Sequence, residues 1–295
     1  MEALRLLKQS LDYIEEHLDR PLEIEAIAKA AMSSKFHFQR MFHALTGFTV
    51  TEYIRNRRLT LAAEELAGTD RKVIDIALKY GYDSPEAFAK AFQRLHGVTP
   101  TGARRAATRL KAFPRLSFHI QIKGERELNY RIVEEPSYTV VGVDTRVESG
   151  QDAAVIPAFV EKIWLDGTHD QVNAAVGRPQ GSLLFGYYFD YEEDGAKRYL
   201  MGTELPQGSG SVPEDLTTLV ISAQTYAVFE GFESMTGEEE IGLEIVNVWR
   251  RIYGEWFPSS NFEQVEGTCI EKYYWLDDKQ IDSKFEVWVP VRRKD

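Results

Sequence analysis

Four side chains near position 40 could hydrogen-bond to or pack on the bases of DNA. Phe36, Gln39, Arg40 and His43 are separated by three and four residues, so they share one face of a helix. An arginine can form two hydrogen bonds to guanine, a glutamine can do the same with adenine, and an aromatic ring can pack on the thymine methyl group. This face therefore favours direct recognition of bases, although solvated surface would be the ordinary interpretation of an isolated helix.

The sequence segment that carries these residues is repeated within the first hundred positions. The first copy runs over residues 27–49 and contains Ile27 and Gly47, and the second runs over residues 76–100 and contains Ile76 and Gly97. The isoleucines are 49 residues apart and the glycines 50, so one residue has been inserted where a turn would absorb it. Two helix-turn-helix units on one chain could engage successive major grooves without a dimer. The repeat makes base recognition the favoured interpretation.

The two copies differ in the chemistry of their outward faces. The second copy presents Glu86, Ala87, Lys90 and Gln93. This set is poorer in groups that recognise bases, and Glu86 would repel phosphate. We predict that the second copy contributes mainly contacts to the DNA backbone, through Lys90 and Arg94. Arg55, in a basic cluster over residues 55–58, is a further DNA-binding candidate.

Apolar residues at helical spacing predict the elements that position these side chains. They indicate a helix over residues 4–18, a short helix followed by a turn at Met32, and a first reader helix at about 35–45. A long helix at about 51–66 would join the first unit to the second, which runs over 73–105. Two readers on one face of a duplex must lie about 34 Å apart, one helical turn of DNA. The predicted N-terminal fold is all-α.

Charge is distributed unevenly along the chain. The net charge of −11 would by itself argue against a nucleic-acid partner. Residues 1–112, however, hold 18 Lys and Arg against 14 Asp and Glu, a net charge of +4, whereas residues 113–295 hold 17 against 32, a net charge of −15. This indicates one part that faces phosphates and another that avoids them. An acidic surface that only aids solubility would leave the asymmetry unexplained.

The C-terminal half shows a second duplication, with the order strand, helix, strand, strand in each copy. The first copy has strands at 137–147, 183–191 and 197–204 and a helix through Val155 and Trp164. The second has strands at 219–229, 268–276 and 284–291 and a helix through Ile241 and Ile252. The pattern predicts an α+β domain of two β-α-β-β repeats. A cleft between two such units is a common place for a small ligand.

The last predicted strand places a carboxylate beside a tryptophan. Because side chains alternate along a strand, Glu286 and Trp288 share one face, and Phe285 and Val287 share the other. A carboxylate is costly to bury unless a cationic group meets it. Either a ligand or a nearby arginine could supply that charge, or Glu286 could be exposed to solvent.

Residues 1–110 resemble the DNA-binding domain of the AraC/XylS transcription regulators. The second unit carries the family signature as Ile76-Ala77, Tyr80-Gly81-Tyr82, Ser84, Phe88, Phe92 and Gly97-Val98-Thr99-Pro100. The resemblance implies a fold of two helical units and direct base contact from the first reader helix, at Phe36, Gln39 and Arg40. The chain departs from the family in the first turn, where Met32 replaces the usual glycine.

Residues from about 126 to 295 resemble the GyrI-like effector-binding domain, which also occurs on multidrug-sensing regulators. The resemblance rests on the double pattern and on the closing strand at 285–291, and it places the ligand-facing acid at Glu286. A pocket of aromatic residues with one anionic anchor would suit lipophilic cations. The candidate wall residues, each of which could also be ordinary core, are Tyr138, Trp164, Tyr187, Tyr226, Trp249 and Trp288.

Other classes of site have no support in the sequence. There is no P-loop, HExxH, CxxC or glycine-rich dinucleotide motif, so no cofactor is expected. The six histidines lack metal-ligand spacing, and the single cysteine, Cys269, cannot form an internal disulfide. No apolar run approaches the roughly 20 residues of a membrane span. With no signal-peptide core at the N-terminus either, we expect a cytoplasmic protein without a membrane partner.

These patterns favour a DNA-binding transcription regulator controlled by a small lipophilic or cationic effector, and not an enzyme. The predicted domains are 1–110 for DNA, a linker at 111–125, and 126–295 for the effector. One alternative is a GyrI-like hydrolase or detoxifying binder tethered to DNA, with Glu286 and Tyr187 or Tyr226 as general acid and base. Another is an architectural DNA binder whose tail contacts RNA polymerase or another protein.

Overall fold

A computed structural model describes residues 2–105, 108–117, 127–208, 211–234, 243–276 and 282–294. The described residues fall into two compact units, one formed mainly by the N-terminal part of the chain and one formed mainly by the C-terminal part, with residues 43–47 grouped with the second. The N-terminal unit is helical. Its helices are α1 (Glu2–Glu16), α2 (Ile24–Ala30), α3 (Lys35–Thr46), α4 (Val50–Gly68), α5 (Val73–Lys79), α6 (Pro85–His96) and α7 (Pro100–Ala103). The predicted pair of helix-turn-helix units joined by a long helix is therefore confirmed.

Capping side chains fix where the principal helices begin. The Ser84 hydroxyl accepts a hydrogen bond from the Ala87 backbone N–H at 3.1 Å, and Pro85 occupies the first position of α6. Thr49 caps α4 in a reciprocal arrangement, because Glu52 donates its N–H to the Thr49 hydroxyl and accepts the Thr49 N–H. Local sequence chemistry thus sets the start of α4 and α6.

Helix α4 contributes to the core of both helix-turn-helix units. Near its start, Tyr53 is fully buried and packs against Phe42 of α3, with ring centroids 5.8 Å apart. Its second half packs on α5 and α6 in a cluster of buried residues: Leu59, Ala62, Ala63, Leu66, Ile76, Ala77, Tyr80, Phe88 and Phe92. A single helix that is buried at both ends in this way joins the two units without a flexible connection.

The turn between α2 and α3 holds a non-glycine residue in a left-handed conformation. Met32 has φ +46°, and the equivalent turn of the second unit has Gly81 at φ +80°. The departure at Met32 therefore leaves the turn conformation unchanged, but a side chain pays a steric cost there that glycine avoids. At Gly81 a Cβ atom would lie only 2.8 Å from Nη1 of Arg58, so a side chain would also clash.

Part of the segment that was predicted to be a linker packs on the N-terminal unit. The Phe113 backbone N–H donates to the Thr60 hydroxyl at 3.0 Å, and the Leu116 N–H donates to the Tyr53 hydroxyl at 3.3 Å. Arg115 forms an ion pair with Asp12. Residues 118–125 lie outside the described ranges, so the boundaries of the linker stay a prediction.

The C-terminal unit contains one antiparallel sheet with helices packed on it. Its strands are β1 (Tyr130–Glu135), β2 (Tyr138–Val147), β3 (Phe185–Phe189), β4 (Lys197–Glu204), β5 (Thr217–Ile221), β6 (Gln224–Ser234), β7 (Phe262–Gln264), β8 (Cys269–Trp275) and β9 (Asp282–Arg293). Its helices are α8 (Asp152–Leu165), α9 (Thr168–Ala175), α10 (Leu243–Arg251), a π-helical turn (Ile252–Trp256) and α11 (Phe257–Ser259).

The strand order reflects the predicted duplication. The order is β1-β6-β9-β8-β3-β4-β2-β5, with β7 paired to β9. β3 and β8 pair at the centre of the sheet. On one side β3 is followed by β4 and then β2, and on the other side β8 is followed by β9 and then β6. Each side thus contains the second, third and first strands of one repeat. The α+β fold of two β-α-β-β repeats is confirmed, and β1, α9 and β7 are elements that the sequence pattern did not predict.

The predicted strand over residues 219–229 is wrong in one respect, because it is two strands. β5 ends at Ile221 and β6 begins at Gln224. β5 pairs with β2, and β6 pairs with β1 in the same register, so Glu135 lies opposite Gln224 and Tyr138 opposite Ile221. The four strands thus form one long antiparallel ladder with a short interruption. β1 and β5, the first and last strands of the order, both belong to it. Alternation alone could not reveal the break, because its periodicity continues across it.

Candidate functional site

The first reader helix presents the predicted base-contacting residues along one side. Phe38 and Phe42 are fully buried in the core of the unit, whereas Phe36, Gln39, Arg40 and His43 are half-buried on the other side of α3. The spacing therefore separates the two faces as expected. The structure brings all four candidates together on one helix face, with a guanidinium, an amide, an imidazole and an aromatic ring side by side.

The second reader helix presents a more exposed and less varied surface. Lys90 and Arg94 of α6 are exposed, while Phe88 and Phe92 are fully buried. Both helices have twelve residues, and Lys90 occupies the position that Arg40 has on α3. An exposed ammonium group suits a phosphate as a point charge, whereas a guanidinium can also recognise a base edge.

The basic cluster on α4 divides into one exposed arginine and two that support the fold. Arg55 is exposed. Arg57 forms hydrogen bonds with both carboxylate oxygens of Glu15, at 2.9 and 2.8 Å, and also donates to the Phe113 carbonyl at 2.7 Å. Arg58 donates to the Leu18 and Arg20 carbonyls at 2.9 and 2.6 Å. Only Arg55 of these three arginines is directed to solvent.

In the C-terminal unit, four of the predicted ligand residues lie on the same side of the sheet. We call this side the aromatic face and define it by Tyr138, Tyr187, Tyr226 and Trp288. Val140, Leu200, Val228 and Ile270 pack among them. The rings of Tyr226 and Trp288 meet edge to face with centroids 5.7 Å apart. Burial raises the pKa values of the Tyr138, Tyr187 and Tyr226 hydroxyls, so all three are protonated hydrogen-bond donors at neutral pH.

Glu286 lies on this face and is paired with cations of the protein itself. Its carboxylate is 3.0 Å from Nη2 of Arg131 and 3.4 Å from Nζ of Lys284, and it accepts a hydrogen bond from Nε1 of Trp288 at 3.0 Å. Glu230 contacts the same two cations. Burial acts to raise the pKa of the Glu286 carboxyl, but the hydrogen bonds from Arg131 and Trp288 outweigh this effect. The net result is a pKa below the ordinary value. Of the alternatives left open by the sequence, pairing with a nearby arginine is the one observed.

A lysine that the sequence pattern did not single out lies over the same tryptophan. Nζ of Lys272 is 3.8 Å from the centroid of the Trp288 ring and 5.7 Å from that of Phe185. Lys272 is half-buried, and burial lowers the pKa of its ammonium group. Its strand position opposite Glu286 follows from the register of β8 and β9, which sequence alternation could not supply.

The other two predicted wall residues lie elsewhere. We call the side of the sheet that carries Tyr188 and Tyr199 the helical face, because α8 and α10 pack there. Trp249 of α10 donates from Nε1 to the Glu271 carboxylate at 2.7 Å on this face. Trp164 is 47% exposed and stacks on His169 with ring centroids 3.6 Å apart. The structure does not bring either tryptophan to Glu286.

Glu271 is a second buried carboxylate, on the helical face. Tyr188 donates its hydroxyl to Glu271 at 3.0 Å, so the two carboxylate oxygens are held by Tyr188 and Trp249. Burial raises the pKa of the Glu271 carboxyl to about 7. The two hydrogen bonds act in the opposite direction, but the effect of burial is larger. Within the described ranges, no group of three or more His, Cys, Asp or Glu side chains is arranged to hold a metal ion. No helix among those residues is long and apolar enough to cross a membrane.

A tandem helix-turn-helix unit and a duplicated sheet domain with an aromatic face define a class of DNA-binding protein with an appended ligand domain. Comparison with known proteins gives the family. Residues 131–291 match the integron-associated effector binding protein family (Cass2), and residues 27–106 match a helix-turn-helix domain family. The chain belongs to the AraC/XylS-type regulators and, through its C-terminal part, to the integron-associated effector binding proteins.

Named relatives cover the chain in two ways. The transcriptional regulator Rob of Salmonella typhimurium is 28% identical over 302 residues, which is 99% of this chain and 100% of that protein. The regulatory protein SoxS of the same organism is 42% identical over 104 residues, 35% of this chain and 97% of SoxS. A solved integron cassette protein from Vibrio cholerae has 18% identity and a TM-score of 0.38 over 55% of this chain and 95% of its own. The chain is thus a DNA-binding transcription regulator with a C-terminal effector-binding domain.

Proposed function

We propose that this regulator recognises its operator through Phe36, Gln39, Arg40 and His43 of α3. In this proposal Arg55, Lys90 and Arg94 contact the DNA backbone. The observation that carries it is the burial of α4 in both helix-turn-helix units, because a shared rigid helix allows two readers to act on one duplex. The four side chains lie on the face of α3 opposite the buried Phe38 and Phe42, which supports base recognition, and the exposed cations on α6 support phosphate contact.

The effector site in this proposal is the aromatic face. Tyr138, Tyr187, Tyr226 and Trp288 lie together there, on the opposite side of the sheet from α8 and α10. Aromatic and apolar side chains with a few polar groups are the usual lining of a site for a small lipophilic molecule. Trp164 and Trp249 have no part in this site.

The effector is bound and not converted in this proposal. A general acid or base at Glu286 would need a proton to exchange near neutral pH, but the contacts with Arg131 and Trp288 lower the pKa of its carboxyl. They also occupy the carboxylate with protein donors. This disfavours the hydrolase alternative.

The DNA partner supports the expected cytoplasmic location, and contact with RNA polymerase stays a prediction.

Selection from a library of randomised DNA duplexes tests the DNA proposal. The full chain is incubated with the library, bound duplexes are amplified and sequenced, and fluorescence anisotropy then compares an enriched duplex with a scrambled one. We expect two conserved blocks about one helical turn of DNA apart, with stronger sequence conservation in one of them. Enrichment of no sequence, or of a single block with no second contact region, would contradict tandem recognition.

A further inference from the structure

A buried tyrosine hydroxyl on the aromatic face has no hydrogen-bond partner among the described residues. Tyr226 is fully buried, and its hydroxyl oxygen is one of the few buried side-chain atoms without such a partner in that part of the chain. A buried polar group that is left unsatisfied lowers stability, so orphan donors of this kind are uncommon. A ligand that carries a hydrogen-bond acceptor would remove this cost.

The aromatic surface next to this hydroxyl is already in contact with a positive charge. Nζ of Lys272 lies 3.8 Å above the Trp288 ring, the distance of a close cation–π contact. Arg131 lies farther out, with Cζ 5.7 Å from the same ring. Arg131 has carboxylate partners, whereas Lys272 forms no ion pair within the described ranges. Lys272 therefore occupies the position that an organic cation would take over Trp288.

The surrounding charges disfavour both kinds of ion as ligands. An incoming cation meets Lys272, Arg131 and Lys284, with Glu286 already neutralised by the last two. An incoming anion meets the field of Glu135 and Glu204, both of which act on Lys272. A neutral molecule meets neither penalty.

We propose that Lys272 is a specificity residue that takes the place of a cationic ligand. The site then selects uncharged aromatic molecules that bear a hydrogen-bond acceptor for the Tyr226 hydroxyl. This inference rests on the proposed effector site at the aromatic face and names the chemical class that the site accepts. An ammonium group fixed over Trp288 repels a second cation, while its aliphatic stem leaves apolar surface for a neutral ring.

Three ligands with the same aromatic body test the proposal. Calorimetry with the full chain compares 2-acetylnaphthalene, which is neutral and has a carbonyl acceptor, with 2-naphthoate and with trimethyl(2-naphthyl)ammonium. We expect the neutral ketone to bind at least about tenfold more tightly than either ion. Lys272→Met removes the charge at similar length and should raise the relative affinity of the ammonium ligand by about tenfold. Lys272→Arg keeps the charge and should leave the preference unchanged.

The outcomes separate the specificity role from the site itself. If all three ligands bind the wild-type chain equally, or if Lys272→Met leaves their order unchanged, Lys272 does not set specificity. If the three bind but Tyr226→Phe and Trp288→Ala have no effect on any of them, the effector site lies elsewhere. Binding of none of them to the wild-type or the Lys272→Met chain would overturn both proposals. A preference for 2-naphthoate would show that Lys272 acts as an anion anchor and would contradict the class proposed.

Discussion

Arg40 and Lys90 hold equivalent positions on α3 and α6, yet their environments suit different parts of a duplex. Arg40 is half-buried on the helix face that also carries Phe36, Gln39 and His43, whereas Lys90 is exposed. A planar guanidinium can form two hydrogen bonds to the edge of guanine, while an exposed ammonium group adapts to any phosphate. The same contrast separates sequence discrimination from general affinity.

Substitution of these two residues should have distinct effects on DNA binding. Arg40→Ala should weaken binding to the selected duplex by about 1–3 kcal/mol and relax preference at one base pair. Lys90→Ala should weaken binding to selected and scrambled duplexes alike. It should also reduce the slope of log affinity against log salt concentration by about 1. Anisotropy titrations at several salt concentrations measure both. Equal loss on both duplexes for Arg40→Ala would contradict base contact by this residue.

The left-handed conformation of Met32 predicts a stabilising substitution. Met32→Gly should remove a steric cost of roughly 1–2 kcal/mol, offset by the greater freedom of glycine in the unfolded chain, roughly 0.5–1 kcal/mol. We expect a net gain of up to about 1 kcal/mol in the free energy of unfolding. Thermal unfolding followed by far-ultraviolet circular dichroism measures it. Met32→Ala keeps the strain and is the control, and an unchanged midpoint for Met32→Gly would contradict the strain.

At the scale of elements, Glu271 joins α10 to the sheet. Its two oxygens hold Trp249 of α10 and Tyr188 of β3, and Lys197 lies near them in an ion pair with Asp152 of α8. A carboxyl whose pKa is raised in the folded state binds a proton that the unfolded state has already released. Docking of α10 on the sheet is therefore linked to pH.

The sign of this linkage gives a testable dependence. Since the ordinary pKa of 4.5 rises to about 7 in the fold, the contribution of Glu271 to stability should fall as pH rises from about 4.5 to about 7. Glu271→Gln cannot ionise, so its stability relative to the wild type should increase over this range. Urea unfolding at several pH values measures this, with Glu266→Gln, at an exposed position, as the control. Parallel curves for the wild type and Glu271→Gln would contradict the prediction.

At the scale of the whole molecule, the two halves differ in their effect on DNA. Residues 1–117 carry a net charge of +5, and the complete chain carries −11. We expect the 1–117 fragment to bind an unrelated duplex more tightly than the full chain at low salt, because the acidic C-terminal part repels phosphate. The difference should shrink as salt screens these charges. Equal affinities for the unrelated duplex at low salt would show that the acidic part has no electrostatic effect.

The sequence predicted those features that depend on local spacing. Helical periodicity located α3, α4 and α6, and strand alternation placed Glu286 beside Trp288. Features that depend on distant partners were not accessible. Arg57 and Arg58 serve the fold because Glu15 and the Leu18 carbonyl lie about 40 residues earlier in the chain but close in space. Lys272 reaches Trp288 only through the pairing of β8 with β9.

The shared ladder of β1 and β2 against β5 and β6 determines whether the domain can be divided into its two repeats. A cut between Glu204 and Thr217 would leave β1 to β4 in one piece and β5 to β9 in the other. The first piece would lose the pairing partners of β1, β2 and β3, which are β6, β5 and β8 of the second piece. Each piece would therefore expose strand edges that only the other piece can cover. Despite its duplicated design, the domain should thus behave as a split protein whose two pieces fold by complementing each other, and neither repeat should stand alone.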